Sequence, residues 1–299
     1  MDERTARMCL AAVVEPGHPA TADAVADYGA EQVWAALLSS DQEGPLAARA
    51  RRIRPGELVE RTRTHGLRFV VPGDPEWPPR LADLASCEPV NQLSGPPLGL
   101  WLAGRGDLSG LVATSVSIVG SRASTAYGDL VAADLGAELS EAGRSVVSGG
   151  AYGIDAAAHR GCLAGRSATV CVQAGGLDAP YPGGHRPLFE RITQSGVLVS
   201  ELAPGVRPSR VRFPICQSIL CLSPQRSGGT AGQSPRGTGP VELGSRSPQQ
   251  SEGQAASGSR VESPLVTSEL HSVSPPRGRE RHRHNTPGHG QPYGLAHGP

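Results

Sequence analysis

Lysine is absent from this 299-residue sequence, and every one of its 28 basic residues is an arginine. Without lysine the chain has no group for Schiff-base chemistry and no phosphate-binding loop of the GxxxxGK[ST] type. An excess of charge is absent as well, because 28 acidic residues balance the arginines. A protein that coats nucleic acid by its overall charge is therefore excluded, and any nucleic-acid site must be local.

Paired cysteines and long apolar runs are also missing. The six cysteines form no CxxC pair, and Cys162 and Cys171 fall in a predicted core helix and a predicted core strand, which indicates reduced, buried thiols. No stretch approaches the length of about 18 apolar residues that a membrane span needs, and the N-terminal apolar run is too short for a signal peptide. The sequence thus predicts a cytoplasmic protein with no membrane partner.

From Val116 onward, short apolar runs alternate with segments of helical periodicity. The runs VSIV, SVVS, ATVCV and VLVS are continuously apolar, which is typical of strands covered on both faces. Strand and helix in rotation, with short connections, predict an α/β fold with an extended Rossmann-like parallel sheet. We assign this domain to residues 66–222, in which LRFVVPG and LGLWLAG supply two earlier strands.

The two flanking regions differ in composition. Residues 1–65 alternate Ala- and Leu-rich patches with Arg and Glu at spacings that suit short helices, so we expect a small helical region there. Residues 223–299 are rich in Gly, Pro and Ser, and their only aromatic residue is Tyr293. Such a composition buries too little apolar area to offset chain entropy, which predicts a disordered C-terminal tail.

Three glycine-rich loops follow predicted strands. Because ligands of open parallel sheets bind at the carboxyl ends of the strands, we expect these loops to form a phosphate pocket. Glycines let backbone amides approach an oxyanion, and a helix N-terminus adds about half a positive charge. The candidate ligands of a phosphate or a nucleic acid are Gly120, Ser121, Arg122, Ser148, Gly149, Gly150, Gly153, Asp155, Gly175 and Gly176.

Arg122 distinguishes this set from an ordinary dinucleotide site. The fingerprint GxGxxG is absent, and Arg122 stands where its second glycine would be. An arginine there obstructs a pyrophosphate that lies flat on the turn, whereas its fork of donors suits one phosphate of a polymer. The alternative is a structural salt bridge between Arg122 and a carboxylate on a neighbouring loop.

Other residues near these loops have two interpretations each. Asp155 and His159 lie four residues apart on a predicted helix, so they form either an acid–base pair or a helix-terminal carboxylate beside a packed imidazole. Tyr127 and Tyr152 either stack on bases or pack against helix and loop. Asp178, in a Gly-Leu-Asp turn, is expected to cap the segment that follows it. No cofactor or metal site is predicted.

Four motifs follow one another in order, namely IVGSR at 118–122, VVSGGAYGIDAAAHRG at 146–161, GGLDAPYP at 175–182 and LVSELAPG at 198–205. Together with GDPEWPPRL they resemble the DNA-processing protein A (DprA/Smf) family over roughly residues 66–214. The resemblance implies an extended Rossmann fold, without enzymatic activity, that binds single-stranded DNA and loads RecA recombinase during natural transformation. It also implies a homodimer, and it maps the family's phosphate-binding arginine onto Arg122.

The chain departs from the family after Phe213 and Pro214. There the family continues with an Arg-Asn-Arg helix, an apolar strand and a Ser-Gly-rich loop, none of which is visible in this sequence. A shifted reading frame near codon 215 would explain the loss, so a truncated, inactive product is one alternative. The other is a nucleotide phosphoribohydrolase of the lysine-decarboxylase-like group, whose PGGxGT motif resembles residues 227–230 without the glutamate that should follow.

Overall fold

The computed structural model describes residues 1–39, 43–86 and 95–209, together with the backbone of a short strand at 241–243. The N-terminal part is helical, as the apolar spacing predicts, and consists of α1 (Glu3–Val13), α2 (Pro19–Tyr28), α3 (Ala30–Leu38), α4 (Pro45–Ala50) and α5 (Pro55–Thr64). Proline begins α2, α4 and α5, where its fixed φ suits the first turn and its missing amide hydrogen is not needed.

A mixed sheet follows these helices. Its strands are β1 (Arg68–Val70), β2 (Leu100–Ala103), β3 (Val116–Gly120), β4 (Val146–Ser148), β5 (Thr169–Val172), β6 (Val197–Ser200) and β7 (Val241–Leu243), in the spatial order β1-β2-β6-β5-β4-β3-β7. The four strands from β3 to β6 pair in parallel, and every residue of β4, β5 and β6 is buried. The predicted Rossmann-like parallel sheet, covered on both faces, is confirmed for these strands.

The first two strands depart from that prediction. β1 pairs antiparallel with β2, with Phe69 opposite Trp101, and β2 pairs antiparallel with β6, with Leu102 opposite Val199. The described residues between β1 and β2 contain a 3-10 helix at Pro79–Ser86 and no α-helix, whereas the crossover between parallel strands usually contains an α-helix. The sheet is therefore mixed, because β2 runs against the parallel strands and β1 runs against β2.

Helices cover both faces of the sheet. The later ones are α6 (Leu108–Ala113), α7 (Ala126–Glu141), α8 (Ile154–Cys162) and α9 (Arg186–Ser195). α7, α8 and α9 lie on the face that presents Ile118, Val146 and Cys171, whereas α6 and the 3-10 helix lie on the face that presents Val147 and Val170. Because each of the strands β3, β4 and β5 is followed by a helix, the loops that join these strands to their helices all lie at the carboxyl ends of the parallel strands.

The contact between α7 and α8 depends on glycine. A Cβ on Gly136 would lie 2.5 Å from the Ala158 carbonyl oxygen, and a Cβ on Gly161 would lie 1.9 Å from the Ala133 carbonyl oxygen. The two helix backbones therefore touch, because either position would clash with a larger side chain. Their contact also fixes the spacing of the two loops that precede them.

The helical region shares its core with the sheet. Trp101 of β2 is fully buried, its ring centroid lies 4.5 Å from that of Phe69, and its indole Nε1 donates to Thr62 Oγ1 at 3.2 Å. Arg4 of α1 donates to the Phe69 carbonyl oxygen and to the Asp74 carboxylate at 2.7 Å. α1 and α5 are therefore attached directly to the antiparallel edge of the sheet.

The cysteines of the described residues are free and buried, as was predicted for Cys162 and Cys171; Cys9 of α1 has the same state. Burial raises the pKa of the Cys9 thiol to about 11 and that of the Cys171 thiol to about 12. Both thiols are therefore protonated near neutral pH, and they act as small apolar side chains rather than as nucleophiles.

Most of the C-terminal tail predicted to be disordered, residues 223–299, lies outside the described residues. The position near codon 215, where a shifted reading frame was hypothesised, also lies outside them. Val241–Leu243 depart from the tail prediction, because they pair in parallel with β3 and place Val241 opposite Ile118. A strand in this position satisfies backbone groups that the edge of β3 would otherwise expose.

Candidate nucleic-acid interface

The loop after β3 and the loop after β4 lie against each other at the carboxyl edge of the sheet. Gly153 has a φ of 77°, and a Cβ on it would lie 2.3 Å from the Ser121 carbonyl oxygen. The Ile154 amide donates to that same oxygen at 3.3 Å. A Cβ on Gly120 would lie 2.7 Å from the Ile154 side chain. The structure thus brings together the first two of the three predicted glycine loops, which we call the joined loops.

Arg122 lies between β3 and α7, and its side chain is exposed. Local hydrogen bonds order the backbone on both sides of it. Ser121 Oγ accepts from the Ala123 amide at 3.2 Å, and Thr125 Oγ1 begins α7 by accepting from the Gly128 amide at 3.1 Å. A fixed backbone therefore presents an arginine at the N-terminal end of α7, and the role of Arg122 as a phosphate ligand stays a prediction.

Asp155 lies beneath the joined loops. Its carboxylate is buried, Oδ2 accepts from the Ala151 amide at 3.3 Å, and a Cβ on Gly149 would lie 2.9 Å from that oxygen. Burial raises the pKa of Asp155, and hydrogen bonds from the amides of Ala151, Gly120 and Gly149 oppose that rise. The protein's own carboxylate thus engages backbone donors that we expected at a bound phosphate. Asp155 positions the loops from inside the fold.

His159 lies in the core. It is fully buried, its Nδ1 lies 2.7 Å from Thr169 Oγ1, and that hydroxyl donates to the Val146 carbonyl oxygen at 2.6 Å. Thr169 therefore accepts from the Nδ1–H group of His159. Burial lowers the pKa of His159 to about 3, so the imidazole is neutral. Of the two interpretations of Asp155 and His159, the geometry supports the carboxylate at a helix terminus beside a packed imidazole.

The rest of the second loop is held by close packing. Ser148 is buried, and its Oγ donates to the Ile118 carbonyl oxygen at 2.6 Å across the pair of β3 and β4. Gly150 has a φ of 67°, and a Cβ on it would lie 2.6 Å from Cys171 Sγ. The Gly150 carbonyl oxygen accepts from His185 Nδ1 at 3.0 Å. The shape of this loop therefore requires glycine at position 150.

The third loop differs from the other two because a later segment of the chain covers it. Gly175 and Gly176 are buried, and the Gly176 amide donates to the Val206 carbonyl oxygen at 2.8 Å. Asp178 Oδ1 accepts from the Gly205 amide at 2.8 Å. The expectation that Asp178 caps the residues after it was therefore wrong, since the chain that leaves β6 folds back and takes this bond. The joined loops are more accessible to a phosphate than the third loop is.

Exposed aromatic rings border the joined loops. Tyr127, in the first turn of α7, is 76% exposed, so most of its ring lies in solvent rather than against the protein. Tyr152, in the second loop, is 49% exposed, and its ring stands edge-on to that of His185 with the centroids 4.5 Å apart. An arginine with exposed aromatic rings nearby is the kind of surface on which single-stranded bases stack.

The family model for DNA recombination-mediator protein A matches residues 68–223, more than half of the chain. The chain belongs to this family. The match includes the strands from β1 to β6 and the joined loops. It confirms the family resemblance that the ordered motifs carry.

Curated relatives carry the names of the same family. A protein of Mycobacterium tuberculosis that bears the name DprA is 43% identical over 188 residues, which cover 62% of this chain and 48% of the relative. Protein Smf of Synechocystis sp. is 34% identical over 171 residues, covering 56% of this chain and 40% of the relative. The chain therefore spans about half the length of these relatives or less.

A solved structure shows the same fold. The X-ray structure of DNA processing protein A from Streptococcus pneumoniae matches with a TM-score of 0.56 and 23% sequence identity. The match covers 72% of this chain and 72% of the other. The α/β fold class expected from the sequence is therefore confirmed for this chain.

Some features of the site were not foreseen. His185 supports the second loop through Gly150 and contacts the ring of Tyr152, but a histidine after a Gly-Gly pair carries no local signal of that role. Two further features are absent from the described ranges. No helix there has the length and apolarity needed to cross a bilayer, and no cluster of three or more His, Cys, Asp or Glu residues there could hold a metal ion.

Proposed function

We propose that this protein binds single-stranded DNA in the cytoplasm and acts in DNA uptake and homologous recombination, with no enzymatic step and no cofactor. The observation that carries the proposal is the exposed Arg122 on the joined loops, bordered by the exposed rings of Tyr127 and Tyr152. An arginine fork binds a phosphate, and exposed rings stack on unpaired bases. The recombination-mediator family to which the chain belongs supports the same ligand.

We further propose RecA recombinase as the protein partner and a homodimer as the assembly, both on the strength of the family resemblance. RecA loading is tested by following RecA polymerisation on single-stranded DNA that is covered by a single-strand-binding protein. The chain should shorten the delay before polymerisation begins, and an unchanged delay would contradict the RecA proposal. Sedimentation equilibrium measures the mass, and a monomer at all concentrations would contradict the dimer.

The DNA proposal is tested by Arg122→Ala in filter binding to homopolymer oligonucleotides. A charge-assisted hydrogen bond contributes roughly 1.5–3 kcal/mol, so the variant should bind about ten- to a hundredfold more weakly. The loss should be nearly equal for all base sequences, because a phosphate contact does not read bases. Between about 50 and 200 mM salt, the affinity of the variant should fall less steeply with salt concentration than that of wild type, by the amount that one phosphate contact contributes.

Two further variants separate a ligand role of Arg122 from a structural one. Arg122→Lys keeps the charge but loses the fork, so it should recover part of the affinity. Arg144→Ala is the matched control, since Arg144 is also exposed but precedes β4, at the amino ends of the parallel strands and away from the joined loops. A structural salt bridge would instead make Arg122→Ala lower the melting temperature. Unchanged DNA affinity of folded Arg122→Ala would overturn the phosphate assignment.

Two measurements address the alternatives to DNA binding. A nucleotide phosphoribohydrolase would release free base from a nucleoside monophosphate, and we expect no such release, because the glutamate that should follow the PGGxGT motif of that group is missing after residues 227–230. A truncated, inactive product would show no cooperative thermal transition. We expect a cooperative transition, since the helical region and the sheet share one buried core.

A further inference from the structure

A groove of about 290 Å³ opens between α8 and α9, next to the joined loops. It is lined by Arg160, Gly184, His185, Pro187, Leu188 and Arg191. Its volume is close to the lower limit for small-molecule sites. The groove therefore suits a short segment of sugar-phosphate backbone better than a large buried cofactor.

Two arginines determine the charge of this groove. Arg160 of α8 and Arg191 of α9 are both exposed, and neither guanidinium group has a hydrogen-bond or ion-pair partner within the part of the chain that the structure describes. Arg186, by contrast, is paired with Glu190 at 3.0 Å. Glu190, the acidic residue next to Arg191 in the sequence, therefore forms its ion pair with Arg186 rather than with Arg191. Two guanidinium groups in one concavity repel each other, and an anion between them removes that repulsion.

The groove is continuous with the proposed DNA site. His185, at its inner end, donates to the Gly150 carbonyl oxygen and contacts the ring of Tyr152. A Cβ on Gly184 would lie 2.7 Å from the Tyr152 hydroxyl oxygen, so Tyr152 of the second loop lies next to the residues that line the groove. α9 begins at Arg186 inside this region, and the N-terminal end of a helix favours negative charge.

We infer that Arg160 and Arg191 bind a second phosphate of the same DNA strand, across Tyr152 from Arg122. This inference rests on the proposed function. A strand that crosses Tyr152 stacks a base on the exposed part of the ring, and phosphates on either side of that base meet arginines. Two guanidinium forks hold a phosphodiester without contacting a base edge. The groove therefore lengthens the strand contact without adding sequence specificity.

The test compares wild type with the double variant Arg160→Ala/Arg191→Ala on homopolymer oligonucleotides of increasing length. Oligonucleotides too short to reach from Arg122 to the groove should bind both proteins equally. Longer ones should bind the double variant about ten- to a hundredfold more weakly. For these longer strands, the logarithm of the binding constant should also fall less steeply with the logarithm of the salt concentration. The slope should be smaller by about 0.7 for each phosphate that the variant no longer binds.

Two further variants sharpen this comparison. Arg144→Ala is again the matched control, because Arg144 is exposed but precedes β4, away from the groove, and this variant should bind DNA like wild type. The double variant Arg160→Ala/Arg191→Lys should bind long strands more tightly than Arg160→Ala/Arg191→Ala, since lysine keeps the positive charge and lacks the guanidinium fork. Thermal melts of each variant should match wild type, because the altered side chains are exposed.

The outcomes separate the failure of this inference from the failure of the proposed function. Equal affinity of wild type and double variant at every length, or an equal loss at every length, would overturn the second phosphate site alone. Failure of wild type to bind any oligonucleotide would overturn the proposed function and this inference with it. Binding of inorganic phosphate that the double variant loses, with DNA affinity unchanged, would assign the groove to a free anion and also overturn the inference.

Discussion

Gly153 and Ser121 are in direct backbone contact, since a Cβ on Gly153 would lie 2.3 Å from the Ser121 carbonyl oxygen. This contact joins the loop that carries Arg122 to the loop that begins α8. Its geometry requires both a positive φ and the absence of a side chain at position 153. A phosphate that is bound by both loops needs them at one fixed separation, so the proposed site depends on this single glycine.

Gly153→Ala should therefore weaken both the fold and DNA binding. Gly153 has a φ of 77° and a ψ of −129°, a backbone conformation that strains any other residue by about 1–3 kcal/mol, and the overlap with the Ser121 carbonyl adds a comparable amount from overpacking. We expect the free energy of unfolding to fall by about 2–5 kcal/mol, as measured by urea unfolding. Under conditions where the variant is still folded, its affinity for single-stranded DNA should also be lower.

Gly143→Ala provides the control for backbone strain alone. Gly143 follows α7 with a φ of 73°, and no described atom lies within 4 Å of the position that its Cβ would take. This variant should lose only about 1–2 kcal/mol and should bind DNA like wild type. If the two variants lost the same stability and the same affinity, the contact between Gly153 and Ser121 would not set the geometry of the site.

The parts of the fold that local sequence determines could be predicted. Continuous apolar runs identify β3 to β6 as strands covered on both faces, and loops that follow adjacent parallel strands must meet at one edge. The joining of the Arg122 loop to the Ser148–Gly153 loop follows from this topology. The antiparallel direction of β2 could not be predicted, because an apolar run is compatible with either direction of pairing.

Contacts between distant residues could not be predicted either. The amide of Gly176 is taken by Val206, which follows a different strand, and no local pattern reports that the chain folds back there. Asp155 and His159 have helical spacing, yet only the packing of β5 against α8 shows that His159 is bonded to Thr169. Arginines on two separate helices share a groove only after those helices pack.

Gly161→Ala tests the close contact of α7 and α8. Its Cβ would lie 1.9 Å from the Ala133 carbonyl oxygen, and a main-chain atom cannot move aside as a flexible side chain can. We expect the helices to separate and the free energy of unfolding to fall by about 3 kcal/mol, measured by urea unfolding. Because these helices follow the joined loops, DNA affinity should fall as well.

Gly56→Ala is the matched control within a helix. Gly56 lies in the first turn of α5, and no described atom lies within 4 Å of the position of its Cβ. The same substitution should here raise the free energy of unfolding by up to about 1 kcal/mol, since alanine loses less backbone entropy than glycine in a helix. Stabilisation by both substitutions would show that the contact of α7 and α8 tolerates a methyl group.

Glu201 is a buried carboxyl group in the LVSELAPG motif. It is 6% exposed and lies beside a small cavity at the junction of α1 and α2, where Glu15 and His18 are the other titratable residues of the lining. Burial raises the pKa of Glu201 to about 8 and lowers the pKa of His18. Glu201 is therefore mainly protonated in the folded protein at neutral pH.

This raised pKa makes stability depend on pH. A glutamate in an unfolded chain titrates near pH 4.3, so between about pH 4.3 and 8 the folded protein holds a proton that the unfolded chain has released. The free energy of unfolding should therefore fall as pH rises through this window, by up to about 1 kcal/mol per pH unit. His18 acts in the opposite direction, since its lowered pKa makes stability fall as pH decreases below its ordinary value.

Glu201→Gln isolates the contribution of Glu201, because glutamine keeps the shape of the neutral carboxyl group and does not titrate. Urea unfolding at a series of pH values should show the variant gaining stability relative to wild type from about pH 5 to 8. The contribution of His18 is common to both proteins and cancels in this difference. Glu138→Gln, which removes an exposed carboxylate of α7, should show no such gain. A difference between Glu201→Gln and wild type that stays constant over this range would mean that Glu201 is ionised in the folded protein.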